Sequence, residues 1–171
     1  MGIDLSVIWA GIILFGLMMY VIMDGFDLGI GILFPWVKEK VDRDVMMNTA
    51  APVWDGNETW LVLGGAGLFA AFPLAYAVLL EALSIPLVAM LIGLIFRGVA
   101  FEYRFKASDA SRHWWDKAFV GGSVLATFSQ GVALGGYIQG IAFDGVHFSG
   151  GSFVVVKCFW PPSFEHSSSS F

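Results

Sequence analysis

Charged residues and cysteines are both scarce in this sequence. Only 13% of its 171 residues are charged, whereas 57% are hydrophobic and the mean hydropathy is +0.75. Soluble domains usually carry about 25% charged residues. A single cysteine, Cys158, excludes an internal disulfide and a multi-thiolate metal site. A chain of this length could not hide so much apolar surface in water, so the composition predicts an integral membrane protein.

Motifs for common cofactors are also lacking. There is no GxGxxG followed by a helix and an acid, no Walker loop, no CxxC and no zincin motif. His113, His147 and His166 all lie outside the predicted membrane helices, where a b-type haem would take axial ligands. The helices do contain four methionines, interpreted as packing residues: Met18, Met19, Met23 and Met90. The basic loops are too short to predict a nucleic-acid partner.

Four apolar stretches are long enough to cross a bilayer, at residues 5–36, 59–80, 83–105 and 118–143. Each exceeds the roughly 20 residues that a helix needs to span the hydrocarbon core. In lipid the backbone must satisfy its own hydrogen bonds, so these stretches should be helices. The predicted fold is an all-α membrane bundle of four transmembrane helices, with a tight turn at 81–86. The first helix is expected to be a retained signal anchor.

The basic residues lie on one side of this predicted bundle. Eight of the nine fall between the first and second spans or near the loop after the third: Lys38, Lys40, Arg43, Arg97, Arg104, Lys106, Arg112 and Lys117. By the positive-inside rule this side is cytoplasmic, and the N-terminus is outside. Trp36, Trp114 and Trp115 lie near the predicted boundaries as interfacial anchors. Arg104 and Lys106 are interpreted as anchors that snorkel to the cytoplasmic surface.

Small residues recur at helical spacing. Gly25 and Gly29 are four residues apart, and so are the pairs 131/135 and 136/140, while three glycines cluster at 64–67. Such spacing favours close approach of helix backbones in membranes.

Two acids lie inside the first span. Asp24 and Asp27 are three residues apart and therefore share a helix face. Two carboxylates in low dielectric do not both ionise easily, so one is expected to hold a proton, as a proton relay would require. The alternative is structural: the acids pair with a cation such as Arg97, or cap a broken helix.

Asp55 and Glu58 stand at the start of the second span. Asp55 as N-cap with Glu58 three residues later would form a capping box. The same position at a cytoplasmic helix end also suits proton uptake. Both roles remain open.

Arg97 lies about two turns deeper than Arg104. It is predicted to be buried and to pair with Asp24, Asp27 or a cofactor carboxylate. Asp116, next to Trp115, is interpreted as a loop or helix-start residue.

Three motifs occur in order: DGFDLGIG at 24–31, PVWDGNETWL at 52–61 and FRGVAFE at 96–102. They resemble the signatures of the first three helices of subunit II of cytochrome bd-type quinol oxidases, including the cyanide-insensitive branch. The resemblance covers about residues 3–152, and we take residues 1–152 as one four-helix transmembrane domain, the first of the family's two repeats.

The resemblance implies a role in a complex that oxidises quinol and reduces dioxygen in the bacterial cytoplasmic membrane. The complex holds haems b and d in subunit I, and subunit II binds no haem itself and supports assembly of that partner. Asp55 matches an acid that opens a proton path toward the oxygen-reducing haem. Asp24, Asp27, Arg97 and Asp116 match charged positions linked to haem d retention or proton delivery. Membrane lipid and quinone are the other expected partners.

Residues 153–171 depart from the family pattern, and the family's members are about twice as long. This tail contains no fifth span and ends in serines. It is expected to be a truncated or frameshifted end, disordered or interfacial. A small transporter, a proton channel or an inert fragment is the alternative to an oxidase subunit, because intramembrane acids suit those functions too.

Overall fold

The computed structural model describes residues 4–140, and these residues fold entirely as helices and their connections. The α-helices are α1 Leu5–Leu33, α2 Lys40–Ala50, α3 Trp54–Ala71, α4 Pro73–Lys106 and α5 Asp109–Ile138, and a 3-10 turn at Phe34–Trp36 follows α1. The predicted all-α class is confirmed. The predicted tail at 153–171 and the end of the fourth span at 143 lie outside the described residues.

The four long helices form a closed ring of neighbours. Helix α1 packs against α3, α3 against α4, α4 against α5, and α5 returns to α1. Successive long helices run in opposite directions, so the C-terminal end of α1, the whole of α2 and the start of α3 lie at one end of the bundle. The end of α4 and the start of α5 lie there as well. We call this the basic end, because seven of the nine Lys and Arg residues surround it.

Three helical segments are long and apolar enough to cross a membrane: Leu5–Trp36, Pro73–Lys106 and Ala110–Ile138. The chain is therefore a multi-pass membrane protein. Helix α3 has 18 residues, which at 1.5 Å per residue gives about 27 Å. It is shorter than α1, α4 and α5 and begins with a polar segment, but it packs against both α1 and α4.

The predicted turn between the second and third spans is wrong. The chain reverses at Phe72, not at residues 81–86, and the second helix ends at Ala71 rather than near 80. Pro73 explains the difference, because proline suits the first position of a helix and restricts the residue before it. Phe72 accordingly leaves the helical region, with φ −137° and ψ 64°. Pro86, which suggested the turn, lies buried inside α4.

The closest backbone approach joins α4 to α5 at Gly93 and Gly122. A Cβ on Gly93 would lie 2.7 Å from the carbonyl oxygen of Gly122. The prediction of close packing at Gly25, Gly29 and Gly131 is wrong, since a Cβ there would meet nothing within 4 Å. Two glycines of the cluster at 64–67 do face α1: a Cβ on Gly64 would lie 2.9 Å from Leu17, and one on Gly67 would lie 3.1 Å from Ile13, whereas one on Gly65 would meet nothing within 4 Å.

Two apolar clusters fill the interior. One, near the basic end, contains Phe34, Met47, Phe101 and Phe119. The other, deeper in the bundle, contains Leu28, Met90, Leu94 and Ala126. Between Leu94 and Phe101 on α4 lies Arg97, so the two apolar clusters flank a charged layer.

Candidate functional site

Arg97 and Asp24 form a fully buried ion pair between α4 and α1. The Nη2 atom of Arg97 donates to Oδ1 of Asp24 at 2.6 Å, and their side chains are 0% and 1% exposed. Arg97 stands nine residues before the end of α4, which places it about 14 Å from the basic end. The predicted burial of Arg97 and its predicted pairing with Asp24 are confirmed.

Glu58 of α3 joins the same guanidinium. Nη2 of Arg97 also donates to Oε1 of Glu58, at 3.0 Å. The Glu58 side chain is 22% exposed, whereas that of Arg97 is fully buried. Three helices, α1, α3 and α4, therefore meet at one cation.

Asp27 is buried but does not bond to Arg97. Its Oδ2 accepts a hydrogen bond of 2.7 Å from Nδ2 of Asn57, which also lies 3.4 Å from the carbonyl oxygen of Met23. Asn57 is itself buried. Of the two acids predicted to share a helix face, one is thus held by an arginine and the other by an amide.

We call Asp24, Asp27, Asn57, Glu58 and Arg97 the carboxylate cluster. Three carboxyl groups face a single guanidinium, so their charges are not balanced if all three are ionised. Several of its atoms are buried without a hydrogen bond from the described residues: Oδ2 of Asp24, Oδ1 of Asp27, and Nε and Nη1 of Arg97. Buried polar atoms are rarely left unpaired in proteins, and they gather at functional positions.

Asp55 lies apart from the carboxylate cluster, exposed in the first turn of α3. The predicted capping box does not form. The N-cap of α3 is Val53, it makes no side-chain capping bond, and Glu58 turns to Arg97 instead. Asp55 still interacts electrostatically with Glu58 one turn away. The arrangement leaves an exposed acid beside the accessible member of the cluster.

A second ionic network lies at the basic end. Arg104, only 1% exposed, donates to Oδ1 of Asp44 on α2 and to Oδ1 of Asp116 on α5, each at 2.5 Å. Arg43 on α2 lies 3.4 Å from the other oxygen of Asp116. The prediction that Arg104 is a snorkelling anchor is wrong. Asp116, predicted to be a loop or helix-start residue, lies in the second turn of α5 and joins this network.

Sequence reasoning missed several polar residues around these clusters: Asn57, Arg104, Asp44, Tyr20 and Gln130. Asn57 stands inside one of the quoted motifs, between two acids, and that position could have drawn attention to it. Gln130 lies inside the predicted span at 118–143, and a polar side chain within a membrane helix could likewise have drawn attention to it.

Within residues 4–140, no group of three or more His, Cys, Asp or Glu side chains is arranged to hold a metal ion. His113 is exposed near the start of α5, where its Nδ1 lies 2.9 Å from the carbonyl oxygen of Ala110. Met90 is packed in an apolar cluster. His147 and His166 lie outside the described residues.

These features define the class of protein: a multi-pass membrane protein whose helix bundle encloses an ion cluster. Residues 5–164 match the family described as "Cytochrome bd terminal oxidase subunit II". The chain belongs to this family, as the three motifs indicated.

Three curated relatives are named as subunit 2 of a cytochrome oxidase. "Probable cytochrome oxidase subunit 2" of Haemophilus influenzae is 39% identical over 141 residues, which cover 81% of this chain. "Cytochrome bd-I ubiquinol oxidase subunit 2" of Escherichia coli K12 is 37% identical over 145 residues, 82% of this chain. "Cytochrome bd ubiquinol oxidase subunit 2" of Bacillus subtilis is 38% identical over 126 residues, 71% of this chain. The matches span only 37–38% of the length of these relatives.

Proposed function

We propose that this chain forms part of the non-haem subunit of a cytochrome bd-type quinol:oxygen oxidoreductase. Its part is to support the haem-bearing subunit I and to supply protonatable groups for proton uptake. The buried carboxylate cluster carries the proposal, because burying charges in a membrane bundle is costly and such groups usually serve a function.

The geometry suggests a route for protons from the basic end. Asp55 is exposed there, Glu58 lies one turn further along α3, and Arg97 links Glu58 to Asp24. A carboxyl group at a helix end exchanges protons readily with water, and neighbouring acids can pass them inward. In this proposal Asp55 takes up the proton, Glu58 receives it, and Asp24 and Asp27 hold the inner charge.

The haems are assigned to the partner subunit. Haem iron in a membrane bundle needs an axial His or Met that projects from a helix into a pocket. Among the described residues, His113 is exposed at the basic end and Met90 is enclosed by Leu28 and Leu94. These residues do not fit a haem site, so no redox step is assigned to this chain.

The outer surface of α1 suits contact with a partner or with lipid. Large apolar side chains are exposed along its length, at residues such as Leu14, Val21 and Phe26. We propose that subunit I, lipid and quinone cover these surfaces. We propose that the basic end faces the cytoplasm, as the positive-inside rule favours, and that the chain lies in the bacterial cytoplasmic membrane with its N-terminus outside.

Co-purification tests the proposed partnership. The chain is purified through a tag after co-expression with the haem-bearing subunit, and the visible spectrum of the purified material is recorded. Haem absorption that follows the larger partner is the expected result. A colourless homo-oligomer that conducts protons would instead indicate a channel, and degradation of the chain in the membrane fraction would indicate an inert fragment.

Asp55→Asn tests the proton route within that complex. We expect oxygen reduction to slow roughly tenfold, the effect of about 1.4 kcal/mol on the proton-transfer barrier, with haem content unchanged. Asp42→Asn is the matched control, because Asp42 is an exposed acid in the first turn of α2 at the same end. Loss of haem in Asp55→Asn would show that the residue is structural.

A further inference from the structure

Tyr20 lies on α1 one turn before Asp24. Its side chain is buried, with only 4% of the residue exposed. Residues four apart on a helix lie on the same face, so the phenol and the carboxylate are neighbours. A buried tyrosine hydroxyl usually finds a hydrogen-bond partner.

Gln130 of α5 holds that hydroxyl from the opposite helix. Its Nε2 donates to Oη of Tyr20 at 2.5 Å. In this bond the tyrosine oxygen is the acceptor, so the hydroxyl proton of Tyr20 remains free to be donated elsewhere. The Gln130 amide therefore restricts the direction in which the Tyr20 hydroxyl can donate its hydrogen bond.

Asp24 offers the acceptor. Its Oδ1 is taken by Arg97, and its Oδ2 is buried without a hydrogen-bond partner among the described residues. Tyr20 shares a face of α1 with Asp24, so its hydroxyl is the neighbouring donor for that oxygen.

We propose that Tyr20 and Gln130 are positioning residues of the carboxylate cluster: Gln130 orients the Tyr20 hydroxyl so that it donates to Oδ2 of Asp24. This bond holds the Asp24 carboxylate in its pair with Arg97. The proton that the cluster exchanges is thereby left to Glu58. The inference rests on the proposed function of the cluster in holding exchangeable protons, but not on the presence of a partner subunit.

Infrared spectroscopy of the full chain in lipid nanodiscs tests this. The carbonyl stretch of protonated carboxylic acids is followed as the pH is changed, and Asp24→Asn identifies the part of the signal that belongs to Asp24. Tyr20→Phe keeps the ring and removes the hydroxyl, which is both the proposed donor to Asp24 and the acceptor of the Gln130 bond. Because a hydrogen bond to a charged group is worth about 1.5–3 kcal/mol, we expect the proton affinity of Asp24 to rise about tenfold or more.

Gln130→Glu provides an independent variant. Its carboxylate would accept the Tyr20 hydroxyl proton and draw it away from Asp24, so the same direction of change is expected with the tyrosine intact. Tyr76→Phe is the matched control, because Tyr76 packs edge-on against Phe69 near the start of α4, far from the cluster. It should leave the Asp24 signal unchanged.

The inference is overturned if Tyr20→Phe and Gln130→Glu change the Asp24 signal no more than Tyr76→Phe does. Helix content from circular dichroism identifies any variant that does not fold, and if Tyr20→Phe fails this check, Gln130→Glu decides by the same criterion. A negative infrared result does not contradict the proposed function, which is tested by the haem spectrum of the assembled complex. Absence of haem from that complex would likewise not contradict the infrared result.

Discussion

Arg97 is enclosed on every side by helices, yet it donates through only one of its three nitrogens. A buried ion pair contributes little net stability, because desolvation offsets the attraction between the charges. Breaking such a pair is costly, since the remaining charge is left without compensation. The network at this residue therefore constrains the structure more than it stabilises it.

Removing Arg97 should have a large effect. We expect Arg97→Leu to lower the free energy of unfolding by about 3–5 kcal/mol, because Asp24 and Glu58 lose their shared cation. Reversible unfolding in mixed detergent micelles measures the loss, and in the assembled complex haem should be lost first. Lys106→Met is the control, because the Lys106–Glu102 pair is exposed and solvent screening leaves such a pair with little effect on stability. Equal losses in both variants would contradict the assignment.

The pairing of Arg97 with an acid of α1 could be predicted, because a buried cation and buried acids in a membrane bundle are costly unless they pair with one another. The sequence could not decide between Asp24 and Asp27, since both lie on one face of α1. That choice depends on how α3 packs against α1 and α4. The packing places Asn57 beside Asp27 and Glu58 beside Arg97. Side-chain partners across helices are set by packing that no local pattern encodes.

The crossing of α4 and α5 depends on two glycines that show no paired spacing in the sequence. Gly93 and Gly122 lie on different helices, so a search for small residues four apart on one helix does not find them. A Cβ at Gly93 would also lie 2.8 Å from the backbone nitrogen of Ala126. Backbone atoms cannot move aside as a side chain can, so the helices would have to separate.

A methyl group at this crossing should be destabilising. We expect Gly93→Ala to cost about 1–3 kcal/mol, the usual range for overpacking. Gly121→Ala is the matched control, since its Cβ would meet nothing within 4 Å, and it should be neutral or slightly stabilising because alanine favours helices. Unfolding in mixed micelles compares the two. A neutral Gly93→Ala would mean that the helices are not in contact here.

Helix α2 is held to the bundle by the network around Arg104. Arg104 binds Asp44 of α2 and Asp116 of α5, and its guanidinium carbon lies 5.5 Å from the centre of the Phe34 ring. Met47 and Ala50 add apolar contacts from the same helix. The helix is short and polar on average, so it depends on these tertiary contacts for its stability.

Replacing Arg104 should loosen α2 selectively. We expect Arg104→Met to increase amide hydrogen exchange across residues 40–50 by at least about tenfold, the change that 1.4 kcal/mol of local stability would produce. Exchange in the middle of α4 should change less. Arg112→Met serves as the control, because it removes a cation at the same end. Unchanged exchange in α2 would show that its apolar contacts suffice.

At the scale of the molecule, the four long helices and their order could be predicted from hydropathy, and their boundaries only partly. The short polar helix α2 could not be predicted in this way. The apolar stretches continue through the reversal at Phe72, so hydropathy does not mark it, whereas the proline at 73 does. Pro86 carries the same signal and yet lies within α4, because neighbouring groups in a membrane bundle can compensate for a lost backbone bond. Hydropathy alone cannot distinguish these two prolines.

The orientation of the bundle is open to a direct test. In a background of Cys158→Ser, Ser6→Cys should react with a membrane-impermeant maleimide on intact bacterial cells, whereas Lys38→Cys should react only after lysis. Both side chains are exposed, at opposite ends of α1. The positive-inside rule gives this direction because the basic end is retained in the cytoplasm. The reverse labelling pattern would invert the proposed topology.

The order of the charges along the chain has a consequence for biogenesis. Asp24, Asp27 and Glu58 all precede Arg97 in the sequence, so the ribosome makes the acids before it makes the cation. An arginine at the centre of a nascent transmembrane helix costs about 2.5–3.5 kcal/mol at the translocon. When α4 leaves that channel, α1 and α3 with their acids have already been synthesised. Pairing of Arg97 with these acids can then offset the cost of inserting α4.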